Sequence, residues 1–315
     1  METITQPDSW LGVELRHLAA LDAVAREGSF GRAAAKLGYT QSAVSQQIAS
    51  LERSVGEKLL ERPGGPRAVS LTEAGELLLR HAEAIVARLD AARADMASLR
   101  AGETGTLRVG TYQSVGARVL PAVMRKFRND HPGITLELHE PTTDPELFAL
   151  IESGELDLAF CSLPLPDGPF DGAELMRDPY VLVVSAEHAL SARGFASLSD
   201  LGDLPLIGSQ TCASGVHLEE ELRAQGFDVD YAFRSDDNGT VQGLAAAGYG
   251  VALTPLLAVL QGDERVKVLR LAPAIPPRVI GVVWHRDRHR SPAARAFVEI
   301  AAEVSAEVGR ELDRP

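Results

Sequence analysis

Residues 29–52 read SFGRAAAKLGYTQSAVSQQIASLE. Ser29-Phe30 opens a helix with Ala33, Ala34 and Leu37 on its apolar side, and Gly38-Tyr39 makes a tight turn. Thr40 is suited to cap a second helix, whose stripe to be buried is Ala43, Val44, Ile48 and Leu51. Gln41, Ser42, Ser45 and Gln46 fall at i, i+1, i+4 and i+5, so they share a face near that helix's N-terminus. Amide side chains can pair with adenine in the major groove, and hydroxyls can meet several base edges. A short helix, a turn and a second helix presenting this end describe a DNA reader. A Ser/Gln-rich face can also be simply solvated, and the flanking sequence has to decide between the two.

Upstream, Leu15, Leu18, Leu21 and Val24 mark one more helix. Downstream, ERPGGPRAVSL (residues 61–71) has the form of a two-stranded wing turning at Gly64-Gly65. Arg62 and Arg67 flank that turn, and with Arg32 and Arg53 they are the candidate phosphate contacts. The wing and the Ala-rich helix favour the DNA-reading alternative.

Charge distribution agrees. The 315-residue chain carries a formal net charge of −13, which argues against nucleic acid if spread evenly. Residues 14–71, however, hold eight Lys/Arg against six Asp/Glu, a surplus of two positive charges, which leaves −15 for the remainder. DNA contact is therefore expected at the head alone, with an acidic body that would repel phosphates.

Residues 72–100 contain no Pro and a single Gly, Gly75. Leu78, Ala82, Ile85, Leu89, Ala92, Met96 and Leu99 alternate at steps of four and three, a heptad seam that predicts a dimerising linker helix. The competing reading is an amphipathic helix packed on its own domain. AGETG (101–105) ends the segment.

From about residue 106 the chain alternates strands and helices, the pattern of an α/β fold. Strands are expected at Leu107–Gly110, Thr135–His139, Leu156–Cys161, Tyr180–Ser185, Pro205–Gly208, Val229–Phe233, Val251–Thr254 and Val279–His285. Helices are expected at Val115–Asn129, Asp144–Ser153, His217–Gln225, Thr240–Ala247 and Pro292–Arg310.

The head motif LRHLAALDAVAREGSFGRAAAKLGYTQSAVSQQIASLERSVGEKLLER…RAVSLTEAG resembles the LysR-type transcriptional regulators, and LRVG, FRNDHPGI, GELDLAF and AAGYGVALTP extend the resemblance over about residues 14–300. Leu60 stands where the family commonly has Phe, and PGGP lengthens the wing. The resemblance implies a winged helix-turn-helix head, a pairing linker helix, and an effector domain of two Rossmann-like α/β subdomains similar to periplasmic binding proteins. It also implies an oligomer, usually a tetramer, on an imperfect palindrome in promoter DNA, with RNA polymerase as a possible partner. The domains are then residues 1–71, 72–103 and 104–315, with crossovers near Leu163–Asp167 and Val266–Leu271. These divide the effector domain into 106–163 plus 270–315 and 166–268.

A small-molecule effector is expected between the subdomains, beyond the carboxyl ends of the strands. The candidate contacts are Thr111, Tyr112, Gln113 and Ser114, then Phe160 and Cys161, then Gln210, Thr211, Cys212 and Ser214, and finally Thr254. No Arg or Lys stands among them, so the expected ligand is small and uncharged or carboxylate-bearing, held by neutral donors. Single Ser and Thr residues there can equally be helix caps.

The loop of Cys212 resembles in position the reactive-cysteine loop of peroxide-sensing family members, but no second cysteine follows between 213 and 315. A redox-sensing or solute-binding variant of the same architecture is the alternative. No GxSxG, HExxH or P-loop motif occurs and the eight His are scattered, so neither catalytic residues, metal nor cofactor is called for. The N-terminus lacks a signal-peptide core, no apolar run is long enough for a membrane helix, and the two Cys are widely separated. A cytoplasmic protein is the expectation.

Overall fold

A computed structural model describes residues 9–61, 69–101, 105–202, 204–210, 212–227 and 229–312. The chain forms two compact units, residues 1–92 and 93–315.

The first unit holds α1 (Leu15–Glu27), α2 (Phe30–Leu37), α3 (Gln41–Val55), β1 (Leu60–Glu61), β2 (Ser70–Leu71) and the start of α4 (Glu73–Ala101). Leu18, Leu21 and Val24 of α1 close a core with Ala33 and Ala34 of α2 and Val44, Ile48 and Leu51 of α3. Each fully buried aliphatic side chain of this kind contributes about 1.5–3 kcal/mol. Gly38 takes φ 71°, a left-handed turn that a Cβ would strain, and so permits the tight reversal from α2 to α3. Thr40 caps α3 as the sequence indicates, its hydroxyl accepting from the Ala43 N–H at 3.2 Å.

Glu52 secures the exit from α3. Although buried, its carboxylate accepts from the Leu59 N–H at 3.0 Å and from Lys58 Nζ at 2.8 Å. Burial alone would raise its pKa, but these bonds overcome it and hold the group below the ordinary glutamate value. β1 and β2 pair antiparallel, Leu60 opposite Leu71. The turn between them, with Arg62 and Arg67, lies outside the described residues.

The heptad seam divides. Leu78 and Ala82 are buried in the head's own core, so the beginning of α4 is an integral part of that core. Gly75 makes this approach possible, because a Cβ there would fall 2.1 Å from the Leu59 carbonyl oxygen. Farther on, Ile85, Leu89 and Met96 are 47%, 52% and 54% exposed, and Ala92 is exposed as well. The side chain of Leu99 lies outside the described residues. The assignment of Leu78 and Ala82 to the dimerising seam is thus corrected: for these two the competing reading, a helix packed on its own domain, holds.

The second unit runs β3 (Gly105–Gly110), α5 (Gln113–Arg118), α6 (Leu120–Asp130), β4 (Ile134–His139), α7 (Asp144–Ser153), β5 (Leu158–Leu163), β6 (Phe170–Asp178), β7 (Tyr180–Ser185), β8 (Phe195–Ala196) and β9 (Leu206–Gly208). It continues with α8 (Ala213–Ala224), β10 (Tyr231–Arg234), α9 (Asn238–Ala246), β11 (Val251–Pro255), β12 (Val266–Leu271), β13 (Arg278–His285) and α10 (Pro292–Leu312). Two sheets result, ordered β4-β3-β5-β13-β6 and β10-β9-β11-β7-β12-β8. Each is the centre of a lobe and begins with parallel pairs; the first sheet ends in the antiparallel pairs of β13, while in the second β7 runs antiparallel to both β11 and β12 and β8 ends the sheet parallel to β12.

Three expectations change. The single helix over Val115–Asn129 is two, broken at Val119, because Pro121 in the first turn of α6 has no N–H to continue a helix from α5. The first crossover is not at Leu163–Asp167: β6 returns to the first sheet, so the chain changes lobes at Pro179, between β6 and β7. β6 carries Asp171, Glu174 and Arg177 and a register shift opposite Ile280/Gly281, the charged and bulged character of an edge strand, which hides its periodicity. The second crossover is not Val266–Leu271, which is the fully paired β12; it is the segment from Ala272 to Pro277.

Candidate effector site and nucleic-acid interface

In the head, the N-terminal face of α3 is open. Thr40, Gln41, Ser42 and Gln46 are exposed and Ser45 is half-buried, while Val44, Ile48 and Leu51 anchor the opposite face. The Thr40 and Ser42 hydroxyls lie 3.0 Å apart. Arg53, one of the expected phosphate contacts, is exposed and donates to the Ala49 carbonyl at 3.2 Å. Arg32 is also exposed but folds back onto the Glu27 carbonyl oxygen, with its carboxylate 3.8 Å away. Tyr39, 49% exposed immediately before the cap of α3, joins this face and was read in the sequence only as a turn residue.

In the second unit a cavity of about 410 Å³ opens between the two lobes. Its walls come from the carboxyl ends of β3, β4 and β5 on one side and of β9, β10 and β11 on the other, where open α/β sheets bind ligands. Of the expected contacts, Tyr112, Gln113, Ser114, Cys212, Ser214 and Thr254 line it. Thr111, Phe160, Cys161 and Gln210 do not, and Thr211 lies outside the described residues.

The misplaced residues have physical reasons. Phe160 turns into the first lobe's core and meets the ring of Phe297 edge-on at 6.2 Å. Cys161, next along the strand, points to the opposite face and is sealed beneath Leu147 and Ile151 of α7. Its thiol is pushed up to about 12 by burial. Thr111 is buried beside the strand end, its N–H donating to the His139 carbonyl at 2.9 Å. Gln210 is exposed, its N–H turned to Asp236 at 2.8 Å.

Arg278, the cation missing from the sequence reading, sits in the cavity wall. Nε and Nη2 donate to Oδ2 of Asp178 at 3.2 and 2.5 Å, and Nη2 also donates to the Ser114 hydroxyl at 3.1 Å. The guanidinium lies 5.5 Å from the centroid of the Tyr112 ring. Burial works against its charge, yet the Asp178 carboxylate, which attracts it and accepts its hydrogen bonds, offsets that, and its pKa stands above the ordinary arginine value. Burial likewise raises the phenols of Tyr112 and Tyr180 above the tyrosine range, so both stay neutral. The Tyr180 hydroxyl donates to the Ser214 carbonyl at 2.7 Å.

Four carboxylates reach the cavity as well, Glu140 and Asp144 from the first lobe and Asp236 and Asp237 from the second. The expected site of neutral donors alone is therefore corrected: hydroxyls surround an ion-paired arginine, and acidic groups stand about them. Asp237 also caps α9, accepting from Thr240 N–H at 2.6 Å. Cys212 is the N-cap residue of α8, its sulfur 2.7 Å from the Ser209 hydroxyl and 3.2 Å from that of Ser214.

A helix-turn-helix unit with an open recognition face, and a two-lobed α/β unit with a cleft at its strand ends, define a DNA-binding protein that carries a ligand-binding module. Comparison with known families agrees: residues 15–76 match the bacterial regulatory helix-turn-helix protein, lysR family, and residues 100–306 match the LysR substrate binding domain. The chain belongs to the LysR family of bacterial transcriptional regulators. It is a DNA-binding transcriptional regulator with an effector-binding domain, in a family of regulators rather than enzymes.

Among similar proteins, the DNA-binding transcriptional dual regulator OxyR of Escherichia coli is 31% identical over 311 residues, covering 96% of this chain and 98% of its own. The HTH-type transcriptional regulator IlvR of Caulobacter vibrioides is 32% identical over 299 residues, covering 92% and 97%. Of solved structures, full-length CbnR in complex with its target DNA superimposes with a TM-score of 0.64 at 21% identity, over 92% of this chain and 99% of that one. A full-length OxyR variant from Pseudomonas aeruginosa gives 0.62 at 21%, over 93% and 94%. Among the described residues no helix is long and apolar enough to cross a membrane.

Proposed function

We propose that a small molecule binds between the two lobes of the second unit and, by binding one lobe arrangement better than another, alters how the head engages promoter DNA. The cavity carries this reading, because hydroxyls from both lobes and the paired Arg278 converge on one volume of about 410 Å³. A ligand can shift such an equilibrium only through its different affinities for the two arrangements. Gln41, Ser42, Ser45 and Gln46 then read bases, with Thr40, Arg32, Arg53, Arg62 and Arg67 as backbone contacts.

The exposed seam Ile85, Leu89, Ala92 and Met96 pairs two copies of the chain, so that two recognition helices address an imperfect palindrome. A tetramer built from two such pairs, action on RNA polymerase and a cytoplasmic location complete the proposal. Substituting Ser114→Ala tests the cleft: the effector dose response is expected to weaken while DNA binding without effector stays the same. An unchanged dose response removes Ser114 from the site.

One observation favours a second reading. Cys212 is the N-cap residue of the twelve-residue helix α8 and stands in the cavity wall with its sulfur in contact with two hydroxyls. The similar E. coli proteins include one described as a hydrogen peroxide-inducible genes activator. Opposing this reading, Cys161 is sealed in a core and is no ready partner for a disulfide. Cys212→Ser with an undiminished peroxide response in cells ends the redox reading.

A further inference from the structure

The rim of the cleft is fastened by one side chain. Gln113, the first residue of α5 in the first lobe, donates from Nε2 to Oδ2 of Asp237 at 3.0 Å. Its Oε1 accepts from the Asn238 N–H at 2.8 Å, and Asn238 begins α9 in the second lobe. Both functions of one carboxamide are thus spent on the opposite lobe, some 124 residues away in sequence. Asp237 is held ready for this by its own cap of α9, since Oδ1 accepts from Thr240.

The contact differs in kind from the buried ion pair of the cavity wall, whose two partners lie on neighbouring strands of the first sheet. Arg278 and Asp178 are buried, and separating them would strand charges. Gln113 and Asp237 are exposed, so their bond can open and leave both groups hydrated at a modest net cost. A bond that breaks without stranding a buried group is suited to hold one of two arrangements by a small margin.

We propose that Gln113 is a built-in clasp that holds the ligand-free cleft closed across Asp237 and Asn238, and that its release is a step in the response to effector. This rests on the reading of the cleft as the effector site, and it names how that site is regulated. A ligand group that reaches the rim has to displace the Gln113 carboxamide from the start of α9. Loss of the clasp then imitates part of the effect of the ligand.

Hydrogen exchange on the full-length chain tests this, without added effector, for wild type, Gln113→Ala and Gln113→Glu. The glutamate variant keeps the side-chain length but sets a carboxylate against Asp237. In both variants the amides of residues 142–144 and of 235–238, on opposite banks, are expected to exchange faster by up to about tenfold, with α3 and α6 unchanged. Faster exchange at Asn238 alone would make Gln113 a helix cap and overturn the clasp, and so would no change on either bank. DNA footprints of the same samples separate the two levels. If both banks open while DNA binding is unaltered, the clasp stands and control of DNA by the cleft falls.

Discussion

Asp178 and Arg278 face each other in register where β6 and β13 pair, and each stands beside one of the two crossovers that join the lobes. Asp178 precedes Pro179, and Arg278 is the first residue after the second crossover. The ion pair therefore ties the two connections together. Oδ1 of Asp178 also accepts from the Leu257 N–H, just beyond β11 of the second sheet, while Nη2 of Arg278 reaches Ser114 in the cavity. One buried pair thus links the first sheet, the turn that follows β11, and the ligand site.

Removing one partner leaves the other charge buried and alone. Arg278→Ala is expected to destabilise the second unit by about 3–5 kcal/mol, read as a lowered melting temperature. Arg278→Lys is expected to recover only part of this, since an ammonium cannot supply both Nε and Nη2 donors to Asp178 and Ser114. A lysine variant as stable as wild type would show that the forked geometry is unimportant.

Glu52 makes the head acid-sensitive. Its folded pKa lies below the ordinary value of 4.5, so its stabilising effect is fully present above about that pH and is lost as pH falls through the lower folded value. Glu52→Gln is expected to cost the head about 1–3 kcal/mol at pH 7 and to flatten this acid dependence. Exchange rates of α3 amides followed from pH 7 to well below pH 4 report both effects; equal slopes for wild type and variant below about pH 4.5 would contradict the assignment.

The open face of α3 and the arginines are expected to fail differently. Gln41→Ala or Gln46→Ala should cost about 1–3 kcal/mol of discrimination at the contacted base pair and relax preference there. Arg32→Ala should weaken binding on all sequences and reduce the salt slope by about one. Arg32 must first leave the Glu27 carbonyl to reach a phosphate. Uniform losses for the glutamine variants on specific and random DNA would exclude base reading by them.

Ile85 and Leu89 are the exposed apolar residues that follow the part of α4 buried in the head. Ile85→Asp with Leu89→Asp is expected to raise the Kd of the pair by more than about tenfold, because each side chain would otherwise contribute on the order of 1.5–3 kcal/mol by burial. Sedimentation velocity detects the shift to single chains. An unchanged distribution would mean that the seam does not pair.

The sequence was most legible where a residue acts on its near neighbours. The Thr40 cap and the buried stripe Val44, Ile48, Leu51 are local patterns, and the structure places them accordingly. The cavity was less legible because its decisive group depends on distance: Arg278 follows two prolines, and its partner Asp178 lies 100 residues earlier in an irregular edge strand. Phe160 and Cys161 were misassigned for a related reason. A strand end beside a crossover suggests a cleft, but β5 runs on to Leu163, and only Ser162 of its end faces the cavity. The seam of α4 was legible as a period, while the burial of Leu78 and Ala82 depended on the approach of Gly75 to Leu59.

The most direct measurement is a DNase footprint of the full-length chain on the promoter DNA it binds, with and without the small-molecule fraction of its host cells, repeated with Thr254→Trp. Thr254 lines the cavity, and an indole there would fill part of it. The account predicts a footprint that changes with the small molecules for wild type and stays fixed for the variant, both proteins binding DNA equally well without them. The same change in both proteins would contradict control of DNA binding from the cleft.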